Sequence, residues 1–250
     1  MKAFRTFLTT ELKLAIREFS GIFFAIILPV GIMLLLGTLY GNKTISENST
    51  ITLIQQVVPA VLTIGICASG LMGIPITVSG YREKKILKRF QITPTTPLLL
   101  LGVQFTANLI IALVSSTLVL ITGIVVFGYW MVGNFFYFLL MYLVTTFAIY
   151  SLGIFIASVS NSVKTANLLS TLIYFPMLFL SGATIPYEIM PKALKSISNV
   201  MPLTQGIKVL KGVSLGNPVS DYGDKITFLL IVGLICIIIS IKTFRYDYRY

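Results

Sequence analysis

Long apolar stretches alternate with short polar ones along the chain. No charged residue occurs from Phe19 to Asn42, from Asn48 to Tyr81 or from Phe90 to Val163. About 20 apolar residues suffice for a helix to cross bilayer hydrocarbon. The pattern predicts six spans, over 19–41, 51–80, 98–128, 135–158, 167–186 and 226–241. Pro29 is expected to kink the first. The second run exceeds what crossing needs, so its helix is expected to be tilted, broken or extended into water, with Pro59 and Pro75 as break points. Gly65, Ser69, Gly73 and Thr77 recur every four residues in it, and small residues at that step let another helix approach closely. Between spans four and five, residues 161–167 read as a short inner loop with one charge, Lys164. The last span is short, but Lys225 and Lys242 can snorkel to lengthen it.

Two segments outside the spans show helical spacing. In residues 1–18, with Phe19 just beyond, Phe4, Leu8, Leu12, Ala15 and Phe19 line one side, with Lys2, Lys13 and Arg17 on the other. That suits a helix lying in the membrane interface. Glu11 and Glu18 fall near the apolar stripe, so they are expected either to pair with nearby Lys or Arg or to face a protein partner. In the segment 187–225, Pro191 is placed to start a helix in which Leu194, Ile197 and Met201 lie opposite Lys192, Lys195 and Asn199. A second amphipathic piece follows from Gln205 to Val213, with Pro202 between the two. The expectation is a re-entrant helix pair at the outer face, its backbone satisfied by protein or a water-filled cavity. The fold class is therefore an all-α polytopic membrane protein forming one transmembrane domain over 1–250.

Charge orients it. Only 11% of residues are charged, against about 25% in soluble domains. Arg82, Glu83, Lys84, Lys85, Lys88 and Arg89 crowd into eight positions between two apolar runs. Such a cluster marks a turn at the membrane surface, and its sign points to the cytoplasm. With both termini inside, thirteen Lys/Arg lie on inner segments and six on outer ones, five of the six within 187–225.

The chemistry of the chain excludes several activities. It has no histidine, so no His-based acid/base catalysis or His metal site. Cys67 and Cys236 are isolated within apolar runs and give no metal-ligand spacing. Every Asp and Glu lies in a loop or at an interface, which argues against an intramembrane lipid-modifying enzyme or protease, and against an ion-coupled carrier or channel. The string from Gly37 to Thr44 does not form a phosphate-binding loop, because Asn42 separates Gly41 from Lys43. No metal, bound cofactor or nucleic acid is implied.

Three stretches then carry a resemblance. The basic loop Tyr81-Arg-Glu-Lys-Lys-Ile-Leu-Lys-Arg-Phe-Gln-Ile-Thr-Pro94 resembles the inner-loop signature of membrane subunits of type-2 ATP-binding-cassette (ABC) exporters. Phe179-Leu-Ser-Gly-Ala-Thr-Ile-Pro186, with Met190-Pro191 and Met201-Pro-Leu-Thr204, is similar to that family's segment around the fifth span. The order of head, six spans and outer helix pair agrees as well. The family often has Gly where this chain has Lys85. The resemblance implies a permease of the drug-resistance-like branch in a bacterial plasma membrane. It implies homodimers or heterodimers with a related permease, and a separate ATPase carrying ATP and Mg. Coupling would run through Arg82, Glu83, Lys84, Lys85, Ile86, Leu87, Lys88, Arg89 and Phe90, with Glu11 and Glu18 of the head beside them. The apolar edge of Ile86, Leu87 and Phe90 rimmed by charge suits a soluble partner. The expected cargo is a drug, an antimicrobial peptide or a lipid-like molecule, with lipid-linked glycan as the alternative. Phe24 and Met33 of span one and Tyr174, Phe175, Met177 and Phe179 of span five are the candidate path.

Overall fold

The computed structural model describes residues 2–40, 52–87, 97–185, 187 and 190–244. In chain order the helices are α1 (Lys2–Arg17), α2 (19–40), α3 (Leu53–Glu83), α4 (Pro97–Phe127), α5 (Phe135–Val159), α6 (Val163–Leu180), α7 (Lys192–Val200), α8 (Pro202–Ser214) and α9 (Gly223–Thr243). Six of them, α2 to α6 and α9, are long and apolar enough to cross a bilayer. The chain is a multi-pass, all-helical membrane protein.

Helix α3 is the axis of the bundle. Its apolar window is 89% buried, against 22–28% for α2, α4, α6 and α9. It packs on α2, α4, α5 and α8, and its small residues explain how so many neighbours fit. A Cβ at Gly65 would lie 2.6 Å from Ser115 Oγ of α4, and one at Gly73 would strike the Asn108 side chain. Gly70 sits against the Tyr150 ring, and Gly153 of α5 rests on the Gly70 carbonyl. Ser69 and Tyr150 share a hydroxyl hydrogen bond of 2.7 Å, and Tyr150 donates to the Asn108 carbonyl at 2.7 Å. Thr77, one turn further on, is half-buried. These contacts place the Gly65–Ser69–Gly73 face inside the subunit. The outer helices turn large apolar side chains outward instead, such as Ile121 and Val125 of α4 and Leu234 and Ile238 of α9. An apolar surface of that extent calls for a cover of lipid or of another subunit.

The prolines do not break the helices. α3 runs through Pro59, and a wide π turn over Ser69–Gly73 precedes Pro75. A second π turn, Phe23–Ile27, precedes Pro29. Proline lacks the N–H that would close the next α turn, and the wide turn ahead of it takes up the mismatch. At about 1.5 Å per residue α3 is longer than the ~30 Å hydrocarbon core, so of the three expected outcomes for this run, breakage is ruled out.

Three spans have ends that differ by two or more residues from those expected. α3 runs from Leu53 to Glu83 rather than over 51–80, so Tyr81, Arg82 and Glu83 belong to its last turn. α6 starts at Val163, not 167, and stops at Leu180, not 186. Its start is fixed by the Ser162 hydroxyl, which accepts from Thr165 N–H at 3.1 Å, so Lys164 lies in the first turn rather than in a loop. Its end is fixed by Gly182 at φ 95°, a left-handed conformation that suits glycine. α9 starts at Gly223 and ends at Thr243, 21 residues rather than 16. Between α6 and α9, Pro202 is the first residue of α8 and the helix runs to Ser214. α8 is inserted among α3, α5 and α9, with Gly206 against Thr145. The backbone N–H groups of Val132 and Gly133 donate to the Ser214 carbonyl at 3.1 and 2.9 Å, which pins the α4–α5 turn to its end.

Candidate functional site: the clasp at the end of α3

The basic segment follows directly from α3, and two adjacent residues there tie three helices together. Arg82 is 4% exposed. Its Nη1 donates to the carbonyls of Ala157, at 3.0 Å, and Ser160. The first lies in the last turn of α5 and the second on Ser160, the residue that caps it, where carbonyls have no intrahelical partners. Glu83 points the other way. Its Oε1 accepts from the Val163 N–H at 3.0 Å, at the first turn of α6. A cation thus sits on the negative end of one helix dipole and an anion on the positive end of the next, each the favourable sign. The guanidinium also lies 5.5 Å from the ring centroid of Phe244, just past α9. The turn between α5 and α6 is therefore held by the end of α3.

Past the clasp the chain turns. Lys84 N–H donates to Gly80 O and Lys85 N–H to Arg82 O, both at 3.0 Å. Lys85 has φ 54°. This is the left-handed position that ends many helices and that glycine occupies without strain. A lysine there costs about 1 kcal/mol or slightly more. Lys85→Gly is expected to raise the thermal unfolding midpoint by that stabilisation, read by fluorescence in detergent.

On the α1 side, Glu11 is 4% exposed and accepts a hydrogen bond from the Tyr81 hydroxyl. Burial pushes its carboxyl up from the ordinary carboxylate range, and this outweighs Tyr81 and Gln104, which favour the charged form. A raised folded-state value means that the docked helix binds the proton more tightly than the free one. Docking of α1 is then strongest below the ordinary carboxylate range and weakens as pH rises through the raised value. Hydrogen exchange of α1 amides is expected to quicken, beyond its intrinsic pH dependence, as pH rises through that value. Glu11→Gln is expected to abolish that excess.

The expected site residues separate into groups. Lys84 and Lys85 are exposed, as is Lys164 beyond the clasp, and Ile86 is half-buried. Leu87 is buried, so it belongs to the core and not to an exposed apolar edge. Lys88, Arg89 and Phe90 lie outside the described residues. Glu11 faces Tyr81 and Gln104, neither a basic residue nor an open surface, while Glu18 is exposed. On the candidate path, Met33, Tyr174 and Met177 are buried in the subunit core. Phe24 meets Tyr174 edge to face at 6.4 Å, and Phe175 stacks on Phe179 at 6.2 Å, with Phe179 exposed. Sequence reading missed Tyr81 as the partner of Glu11 and Phe244 as the ring beside Arg82. It also missed the α5–α6 backbone as the ligand of the Arg-Glu pair. Those partners are 70 or more positions away, and backbone carbonyls carry no sequence signal.

A family model described as ABC-2 type transporter matches residues 2–215. The chain belongs to this family. Among similar proteins, Nodulation protein J of Rhizobium leguminosarum bv. viciae is 32% identical over 98 residues, 39% of this chain and 36% of the relative. Nodulation protein J of Rhizobium meliloti (strain 1021) is 32% identical over 92 residues, 37% of this chain and 33% of the relative. Inner membrane transport permease YhhJ of Escherichia coli (strain K12) is 28% identical over 135 residues, 53% of this chain and 36% of the relative. The chain spans about a third of the length of these relatives. The family match and the six apolar helices agree in describing a multi-pass membrane protein.

Proposed function

We propose that this permease exports a hydrophobic or amphipathic molecule, driven by a separate ATPase that docks where α3 ends. The observation that carries the reading is the clasp. Lys84 and Lys85 are exposed and Ile86 is half-buried immediately after two residues that grip α5 and α6. A displacement of that segment is delivered to three membrane helices at once. Arg82, being buried, acts as a positioning residue and does not touch the partner itself. ATP and Mg would belong to the ATPase, and a second permease copy or a related permease would complete the transporter.

The test is co-purification of the tagged chain, with the retained protein identified by peptide mass spectrometry. A polypeptide carrying nucleotide-binding motifs is expected, and Ile86→Glu is expected to lower its recovery about ten-fold while the permease's unfolding midpoint holds. Recovery of no such protein, or equal recovery with the variant, contradicts the proposal.

A further inference from the structure

The outer helix pair carries charge of the wrong sign for its side of the membrane. Residues 187–213 contain four lysines and one acidic residue, Glu188. Loops on the translocated side are normally depleted of Lys and Arg, so a lysine concentration there needs a role that compensates for its cost. α7 supplies the geometry. One arc of this helix is apolar and open, with Leu194 37%, Ile197 53% and Val200 72% exposed. Phe179 near the end of α6 and Ile185 just beyond it are exposed apolar residues as well. The opposite arc holds Lys192, Lys195 and Asn199. There Lys195 Nζ lies 5.5 Å from the Tyr187 ring centroid, and Lys208 Nζ of α8 lies 4.2 Å from the same ring. Asn199 Oδ1 accepts from the Tyr187 hydroxyl at 2.8 Å and from Lys208 Nζ at 2.6 Å. Two ammonium groups are thus gathered about one aromatic plate, alongside an apolar face on the same short helix. A helix that is apolar on one side and lysine-bearing on the other is the arrangement by which protein lies in an anionic headgroup layer.

We infer that α7, with Tyr187 and Lys208, seats an anionic phospholipid of the outer leaflet. Its acyl chains lie along Leu194, Ile197 and Val200, and its phosphate lies at Lys195 and Lys208. The inference rests on the outward placement of this segment and not on the ATPase reading.

The test uses the single tryptophan of the chain. In Trp130→Phe/Ile197→Trp protein, reconstituted in equimolar phosphatidylglycerol and phosphatidylcholine, one lipid or the other carries bromine as a quencher. Each lysine at an anionic surface contributes about five-fold in binding. Brominated phosphatidylglycerol is therefore expected to quench several-fold more than brominated phosphatidylcholine. Lys195→Gln/Lys208→Gln is expected to bring the ratio near one. Should the double variant fold poorly, about 0.5 M salt on the lysine-bearing protein is expected to do the same. A ratio near one in the lysine-bearing protein at low salt overturns the inference. So does quenching by neither lipid, which would mean that a second copy of the chain covers the face.

Discussion

Arg82→Ala is expected to destabilise the protein by roughly 2–4 kcal/mol, because it leaves two carbonyls at the end of α5 without their charged donor. The side chain is nearly fully buried, so water does not replace it. Lysine at this position keeps the charge opposite the α5 dipole but loses the planar fork, so Arg82→Lys is expected to fall between alanine and wild type. Glu83 is exposed and makes one bond to Val163 N–H, and Glu83→Gln is expected to cost less, on the order of 0.5–1 kcal/mol. Heat-induced loss of the monodisperse peak in size-exclusion chromatography ranks the three. If Arg82→Ala is as stable as wild type, the clasp does not hold the α5–α6 turn.

Gly153→Val is expected to be the most damaging change within the membrane. A Cβ at Gly153 would fall on the Gly70 carbonyl, far inside contact distance, and that carbonyl is backbone and cannot swing away. Room can come only from separating α3 and α5, the two most buried spans. Overpacking of this kind costs about 1–3 kcal/mol where the surroundings yield, and more where they do not. The expected result is little or no folded protein in the membrane fraction. Gly31→Ala is the control, since a Cβ there meets nothing within 4 Å, and its yield is expected to match wild type. Equal yields of the two variants would show that α3 and α5 do not pack through Gly70 and Gly153.

Much of the architecture was legible because lipid imposes one rule on every residue of a span. Charge-free runs between charged ones located the six helices among the described residues that are long and apolar enough to cross, whereas the four-residue step of Gly65, Ser69, Gly73 and Thr77 singled out one face of a helix, α3, that is buried on almost every side. The ends of α6 were not legible. Hydropathy treats Lys164 as loop, whereas the Ser162 cap and the Glu83 carboxylate start the helix before it. The Arg82–Glu83 pair stood out as adjacent opposite charges at a membrane exit, but its targets are backbone groups of a distant turn. Glu11 was misread for a related reason. Helical spacing put it near the apolar stripe, but a carboxylate can also be buried when a phenol such as Tyr81 meets it. Lys85 shows a local conflict instead, a side chain occupying a backbone conformation better suited to glycine.

The account depends on the end of α3 facing the cytoplasm. Lys85 is exposed while Cys67 and Cys236 are buried, so a Lys85→Cys chain with both native cysteines changed to alanine carries one reactive thiol. Right-side-out and inverted membrane vesicles are treated with a membrane-impermeant maleimide. Labelling of the inverted vesicles alone is the predicted result. Labelling of the right-side-out vesicles would put the clasp outside, beyond the reach of any cytoplasmic ATPase.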